Sequence, residues 1–448
     1  MEYFRSIDDI YDYMGESIIK MHGKVRVLSE AKLRDTHIDR LIENAVFNKD
    51  SEVNIEARAA IRNLADALGI RLASIQGLYE AMGRGECGGF TVPAVNIRGI
   101  TYDTARAMFR SALKADAGAF IFEIAKSEID YTEQRPSEYA VNILAAAIKE
   151  GYRGPVFVQG DHFQVNAKKY AADKVGEINA LKNLIKEAVL AGFYNIDIDA
   201  STVVDLSKPD VREQQRPNYE ITAQLTEYIR TLEHGGITVS VGGEIGEVGG
   251  KNSTEEELRA FMDGLNLALR GRVKGISKIS VQTGTSHGGV VLPDGTIAKV
   301  KVDFDTIEKL SKASREDYGL AGVVQHGAST LPDDFFHVFV ERGAAEVHLA
   351  TGFQNQVYDS PNFPEDLRHD IYQFLKLKHA SEREKGQTDE QFIYKTRKKG
   401  FGPFKERFWS ISPPAKNRIG AELEARFDLL FDKLNVRNTA SGVKKYCV

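Results

Sequence analysis

The rhythm of hydrophobic and polar positions changes twice along the chain. From residue 1 to about 85, apolar residues recur at three- and four-residue intervals among many charges, as in Asp8–Met21 and Ile55–Leu68. That spacing predicts helices laying one face on something larger, with no convincing strand. From Gly88 onward, short runs rich in β-branched residues alternate with longer segments of helical period. The runs are Thr91–Asn96, Ala119–Glu123, Pro155–Gln159, Tyr194–Asp199, Ile237–Val241, Ile276–Gln282, Ala321–Gln325 and Glu346–Ala350. Helical spacing returns after about residue 360, through Pro364–Glu384 and Gly420–Leu434.

Eight runs spaced by roughly 25–45 residues leave room for a helix after each, which predicts βα units and a parallel sheet. The expected fold is a (β/α)8 TIM barrel with helical N- and C-terminal extensions. The expected organisation is a helical extension over 1–85, a catalytic barrel over 86–360 and a second helical extension over 361–448. An open doubly wound sheet is the alternative. It is disfavoured because no Gly-x-Gly-x-x-Gly turn follows an early strand, and polar residues close nearly every run.

Composition narrows the function classes. The 448 residues are 42% hydrophobic and 27% charged, with a net charge of −5, which gives no general electrostatic case for nucleic acid or an anionic membrane. Cys87 and Cys447, the only cysteines, cannot build a disulfide framework or a thiolate metal site. No apolar run is long enough to span a bilayer, and the amino terminus mixes charges through its apolar residues. A soluble cytoplasmic protein is expected. The basic, aromatic-flanked stretch at Tyr394–Gly400 reads as a solvated face or a phosphate-reaching tail rather than an RNA contact.

The candidate chemistry lies where the runs end. The closing residues are Asn96, Glu123, Asp161 with His162, Asp199, Glu244, His287, His326 and Thr351. In a TIM barrel these ends converge on one mouth. Three of the ten histidines fall just after runs, beside carboxylates, which points to a shared divalent metal site. Around His326 the sequence Ala321–Thr330 reads as a buried strand, a tight turn and the start of a helix. Asp161, next to the expected ligand His162, is placed for proton transfer.

In their order on successive runs, these segments resemble the class II, metal-dependent fructose-bisphosphate aldolases. The carrying motifs are Pro93-Ala94-Val95-Asn96, Asp161-His162, Ile198-Asp199-Ala200-Ser201, Glu244-Ile245-Gly246, Thr285-Ser286-His287-Gly288, and His326-Gly327 with Ser329. The resemblance implies His162, His287 and His326 as metal ligands, with Glu244 as a further ligand or anchor, and Zn2+ as the expected ion. It implies Asp161 as the catalytic acid–base and Asn96 as a substrate contact. Cleavage of a ketose phosphate would proceed through a metal-stabilised enediolate without a lysine Schiff base. A homo-oligomer, dimer or tetramer, is expected.

The sequence also departs from that family. The eighth run ends His348-Leu349-Ala350-Thr351 where Asn-x-Asp-Thr is usual. A lysine is missing after Ser286-His287-Gly288, and Glu123 stands where a small hydroxyl residue is common. A phosphate cradle is expected from Gly288-Gly289, Ser329-Thr330 and Thr351-Gly352, with Gly327 at the substrate and Lys251, Lys126 or Arg397–Lys399 as the cation. Asp199 is expected near the substrate, and Glu123 and His348 at the part of it that differs from fructose 1,6-bisphosphate. The alternatives are another metal-dependent barrel reaction, such as isomerisation or hydrolysis, and a non-catalytic aldolase-like subunit.

Overall fold

The computed structural model describes residues 1–21, 24–246, 251–285, 292 and 302–447. Among the described residues, eleven strands occur in chain order: β1 Ile18–Met21, β2 Lys24–Val27, β3 Ile70–Ala73, β4 Val92–Asn96, β5 Ile121–Ala125, β6 Gly154–Gln164, β7 Asn195–Asp199, β8 Ser240–Glu244, β9 Lys278–Val281, β10 Val323–Gln325 and β11 Glu346–Leu349. Strands β4 to β11 pair in parallel, each with its neighbour in sequence. β11 pairs back onto β4, so the sheet closes into a (β/α)8 barrel. All eight expected strands are present. The fifth lies three residues later than the apolar run that signals it, at Ser240–Glu244, because Gly242 and Gly243 continue the strand in place of apolar residues.

The terminal regions are mostly helical, with corrections. Residues 1–85 contain three strands where none is expected. β1 and β2 form an antiparallel hairpin, and the expected helix Asp8–Met21 stops at Met14. β3 pairs in parallel with the first half of β6, using the edge that β7 leaves uncovered. The helix that follows it, Gln76–Gly83, is locked to the barrel through Asn195. That side chain accepts from Ile75 N at 2.9 Å and donates to Ala73 O at 3.2 Å. From this helix Tyr79 reaches the barrel interior and hydrogen-bonds Glu346. The helices Ile38–Phe47 and Ser51–Ala67 pack on Pro136–Glu150, and the long helix Pro413–Lys433 packs on Thr101–Ala115. Among the described residues, no helix is long and apolar enough to cross a membrane.

The barrel interior is built around charge, not around the branched apolar layers common in this fold. Lys278, fully buried, lies 2.5 Å from Glu346 Oε1, 3.0 Å from Asp197 Oδ2 and 2.8 Å from Gln159 Oε1. Burial opposes its charge, but Asp197 and Glu346 more than offset this and raise its pKa. Gly242 sits between them in register, and a Cβ there would come within 2.3 Å of Asp197 Oδ1. Only glycine leaves room for this ion pair.

Candidate functional site

At the carboxyl ends of the strands lies a cavity of about 400 Å³. Of the expected site residues, Asn96, Asp161, His162, His326, Gly327, Ser329, His348 and Thr351 line it. Glu244, Asp199 and Glu123 are brought to the same place but lie beneath its floor. His287 and Gly288 fall outside the described residues.

Local backbone geometry explains how adjacent residues reach one cavity. In a regular strand Asp161 and His162 would point to opposite faces. Here the pairing of β6 with β7 slips by one residue between Gly160 and Phe163, and His162 takes a left-handed conformation at φ +42°. This bulge turns both side chains into the mouth, a device that recurs beside active sites. After β10, Gly327 turns the chain at φ +70°, a conformation that favours glycine. The expected helix start at this point is corrected. Two short 3-10 turns, Ala328–Thr330 and Asp333–Phe335, come first, and the helix runs over Phe336–Glu341. Pro332 and the two acids after it serve the second turn.

The donor set fits a divalent ion. Ligand-capable atoms of His162, Glu244 and His326 all lie within 4.8 Å of one another, and so do those of Asp161, His326 and His348. The His162 and His326 rings are 4.2 Å apart between centroids, as are those of His326 and His348. His162 Nδ1 is 3.1 Å from Asp199 Oδ2 and 3.2 Å from Glu244 Oε2. Burial opposes protonation of His162, yet Asp161, Glu244 and Asp199 hold its pKa well above the usual range. Carboxylates that hold a proton on an imidazole also attract a metal ion, which competes with that proton. Glu244 is pushed up to about 7, first by burial and then by Asp199. A third group, Glu123 with Glu346 and His348, lies deeper. There Lys278 already supplies the positive charge.

Asp161 is held on both oxygens. Asn96 Nδ2 donates to Oδ2 at 2.9 Å, and His348 Nδ1 lies 3.1 Å from Oδ1. Burial would raise its pKa, but His162, His348 and His326 hold it well below the usual carboxylate range. Asn96 also donates to Glu128 at 2.9 Å, and Glu128 pairs with Arg98 at 2.6 Å. Glu123 is fully buried, accepts from Gln159 at 2.8 Å and lies 3.4 Å from His348 Nδ1. Its place is under the mouth.

Four cations, Arg98, Lys126, Lys169 and Lys398, reach the cavity beside the carboxylates Glu128 and Asp130, and two of them are paired, Arg98 with Glu128 and Lys126 with Glu177 at 3.2 Å. Of the cations expected from sequence, Lys251 pairs with Glu257 at 2.8 Å and does not line the cavity, while Lys126 and Lys398 do. Arg397 anchors the C-terminal turn by pairing with Asp359 at 2.6 Å, and the next residue, Lys398, faces the mouth. The Lys398 ammonium sits 5.7 Å from the Tyr131 ring centroid and makes no ion pair among the described residues. Burial, then the charge of Arg98, lower its pKa.

Arg98, Glu128, Tyr131 and the Lys278 network escape the sequence reading. For the network a signal exists. Within buried runs, polar residues recur every second position: Asn195, Asp197, Asp199; Gln159, Asp161; Lys278, Ser280, Gln282; Glu346, His348. A period of two marks one face of a strand, and here it marks the barrel interior. Arg98, Glu128 and Tyr131 belong to loops and helices, where no periodicity singles them out.

A family model described as fructose-bisphosphate aldolase class-II matches residues 77–399. No curated protein matches the chain in sequence. Among solved structures, a glycerol-complexed fructuronate-tagaturonate epimerase from Cohnella laeviribosi has a TM-score of 0.58 at 13% identity, with 93% of this chain and 93% of that chain covered. A probable tagatose 6 phosphate kinase from Sinorhizobium meliloti 1021 has a TM-score of 0.53 at 16% identity, covering 79% of this chain and 93% of that one. A fructose-bisphosphate aldolase from Campylobacter jejuni has a TM-score of 0.48 at 18% identity, covering 84% and 99%. At these identities the likeness is one of fold.

Proposed function

The chain belongs to the class II fructose-bisphosphate aldolase family, and on that premise we propose that its barrel mouth cleaves and forms a carbon–carbon bond in a ketose phosphate. The observation that carries the reading is the placement of Asp161. This ionised carboxylate is clamped by Asn96 and His348, with a His/Glu ligand set beside it and Arg98, Lys126 and Lys398 lining the same cavity.

His162, His326 and Glu244 are the residues that would hold a divalent ion, with His287 as the ligand the family pattern adds. When bound, such an ion supplies Lewis-acid polarisation of the ketose oxygens. Zinc suits the nitrogen-rich donor set. Asp161 takes the proton from the hydroxyl on the carbon flanking the scissile bond and returns it in the synthetic direction. The neighbouring imidazoles hold its pKa low, so it carries no proton before the step. Asn96 orients that carboxylate by one N–H. Arg98, Lys126 and Lys398 hold the anionic group, and Ser329 and Thr351 add hydroxyls beside them. Lys278 is closed to a Schiff-base role, since it is fully buried and kept as an ammonium ion.

The departures at the eighth strand support an altered substrate preference. Ala350 lines the cavity where the family pattern carries a carboxylate, so substrate hydroxyls lose a charged acceptor. Lys398 takes up the cationic role from the far end of the chain. The test is turnover over ketose mono- and bisphosphates of several chain lengths. If fructose 1,6-bisphosphate is clearly best, the altered preference is wrong. Isomerisation or epimerisation of a ketose is the second reading. It is favoured by one observation, that a second acid–base side chain, His348, adjoins Asp161 at the mouth.

A further inference from the structure

His348 lies in the eighth barrel strand, at the position where the family pattern carries asparagine. His348 is 3% exposed and edges the cavity, yet both of its nitrogens are committed to protein carboxylates. Nδ1 lies 3.1 Å from Asp161 Oδ1, and Nε2 lies 2.5 Å from Glu346 Oε1. Ionised carboxylates accept only, so each ring nitrogen serves a protein acceptor before any substrate hydroxyl.

Glu346 is an unusually fixed base for such a contact. It is fully buried and is held by Lys278 at 2.5 Å, by Gln159 Nε2 at 2.9 Å and by the hydroxyl of Tyr79. Tyr79 comes from the helix Gln76–Gly83, and Lys278 and Gln159 from β9 and β6. Three separate elements therefore converge on the carboxylate that holds the imidazole. Asp161 sits on the β6 bulge beside His162 at φ +42°, and Asn96 and His348 are the side chains that hold its two oxygens.

We propose that His348 is a positioning residue for Asp161, an imidazole strut that ties the proton-carrying carboxylate to the buried Lys278–Glu346 pair in the barrel centre. The inference rests on Asp161 being the proton carrier. Its consequence is that His348 governs turnover rather than substrate affinity. A displacement of about 1 Å in a reacting group can cost ~10²-fold in rate.

Two substitutions separate the ends of the strut. In His348→Asn the amide nitrogen takes the place of Nδ1 and can still donate to Asp161, with the Glu346 end lost. In His348→Gln the amide nitrogen takes the place of Nε2 and can still reach Glu346, with the Asp161 end lost. Both variants, with metal content measured, are assayed on the best ketose phosphate of the panel above and crystallised. The expected result is a kcat for His348→Gln at least ~10-fold below that of His348→Asn, with KM in both within about threefold of the parent. Metal content is unchanged, and the Asp161 carboxylate is rotated away only in the Gln variant. Equal kcat values, a better Gln variant, a raised KM with kcat intact, or loss of metal each overturn the strut. Asp161→Asn serves as the control. If it keeps full turnover, the proton-carrier reading fails, and the strut is judged from the two crystal structures alone.

Discussion

His162 Nδ1 lies 3.1 Å from Asp199 Oδ2, and this contact fixes which edge of the imidazole the mouth receives. Asp199 is itself fully committed. It accepts from Ser201 N at 3.0 Å, from Ser201 Oγ at 2.7 Å and from Gln164 Nε2 at 2.5 Å. A carboxylate so held orients the ring and raises its basicity as a ligand, as the outer partners of metal-bound histidines generally do. Asp199→Ala is therefore expected to weaken metal affinity by ~10–100-fold while the fold is kept. Metal titration of the chelator-treated protein checks this, and an unchanged affinity would remove Asp199 from the site.

Asp161→Asn preserves shape and hydrogen bonding to Asn96 but cannot take a proton. Turnover should fall by ~10²–10⁴, the range for a general acid–base group, with metal content unchanged. A variant that loses metal and turnover in proportion would make Asp161 a neighbour of the ligands and place the proton elsewhere.

Lys398→Met keeps the apolar stem over Tyr131 and removes the charge. A charge-assisted hydrogen bond is worth ~1.5–3 kcal/mol, so KM for a ketose phosphate should rise roughly 10–100-fold with kcat little changed. The same variant should lose inhibition by inorganic phosphate. If phosphate inhibition is untouched, the anion is held by Arg98 or Lys126 without help from the C-terminal turn.

Lys278→Met leaves Asp197 and Glu346 in the barrel centre without their shared cation. Breaking a buried pair in this way costs ~3–5 kcal/mol. Urea unfolding of the metal-free protein measures it. A loss below about 1 kcal/mol would mean that the two carboxylates protonate at little cost, and that Lys278 is not what organises the interior.

The barrel was readable from sequence because its strands are buried on both faces and so appear as apolar, β-branched runs at even spacing. The mouth was readable because Asn96 closes such a run, His326 directly follows one, and Asp161 and His162 come just after another. Two kinds of residue were hidden. Lys278 and Glu346 sit inside strands, where charge is unexpected unless its alternation is noticed. Arg98, Glu128 and Lys398 reach the cavity from a loop, a short helix and a C-terminal turn, and only the folded chain brings residue 398 beside residue 98. β3 was missed because four residues, Ile70–Ala73, two of them polar or partly exposed, carry too little pattern to separate a strand from a helix end. The site's dependence on long-range packing is the physical reason that its substrate half resists a local reading.

The most direct test of the account is a mass-resolved product analysis of the metal-loaded protein on a panel of ketose phosphates, run with and without chelator. The expected result is metal-dependent splitting of one ketose phosphate into two smaller carbonyl compounds whose masses sum to that of the substrate. Conversion to an isomer of unchanged mass, with no fragment at any time, would contradict carbon–carbon cleavage and establish the isomerase or epimerase reading in its place.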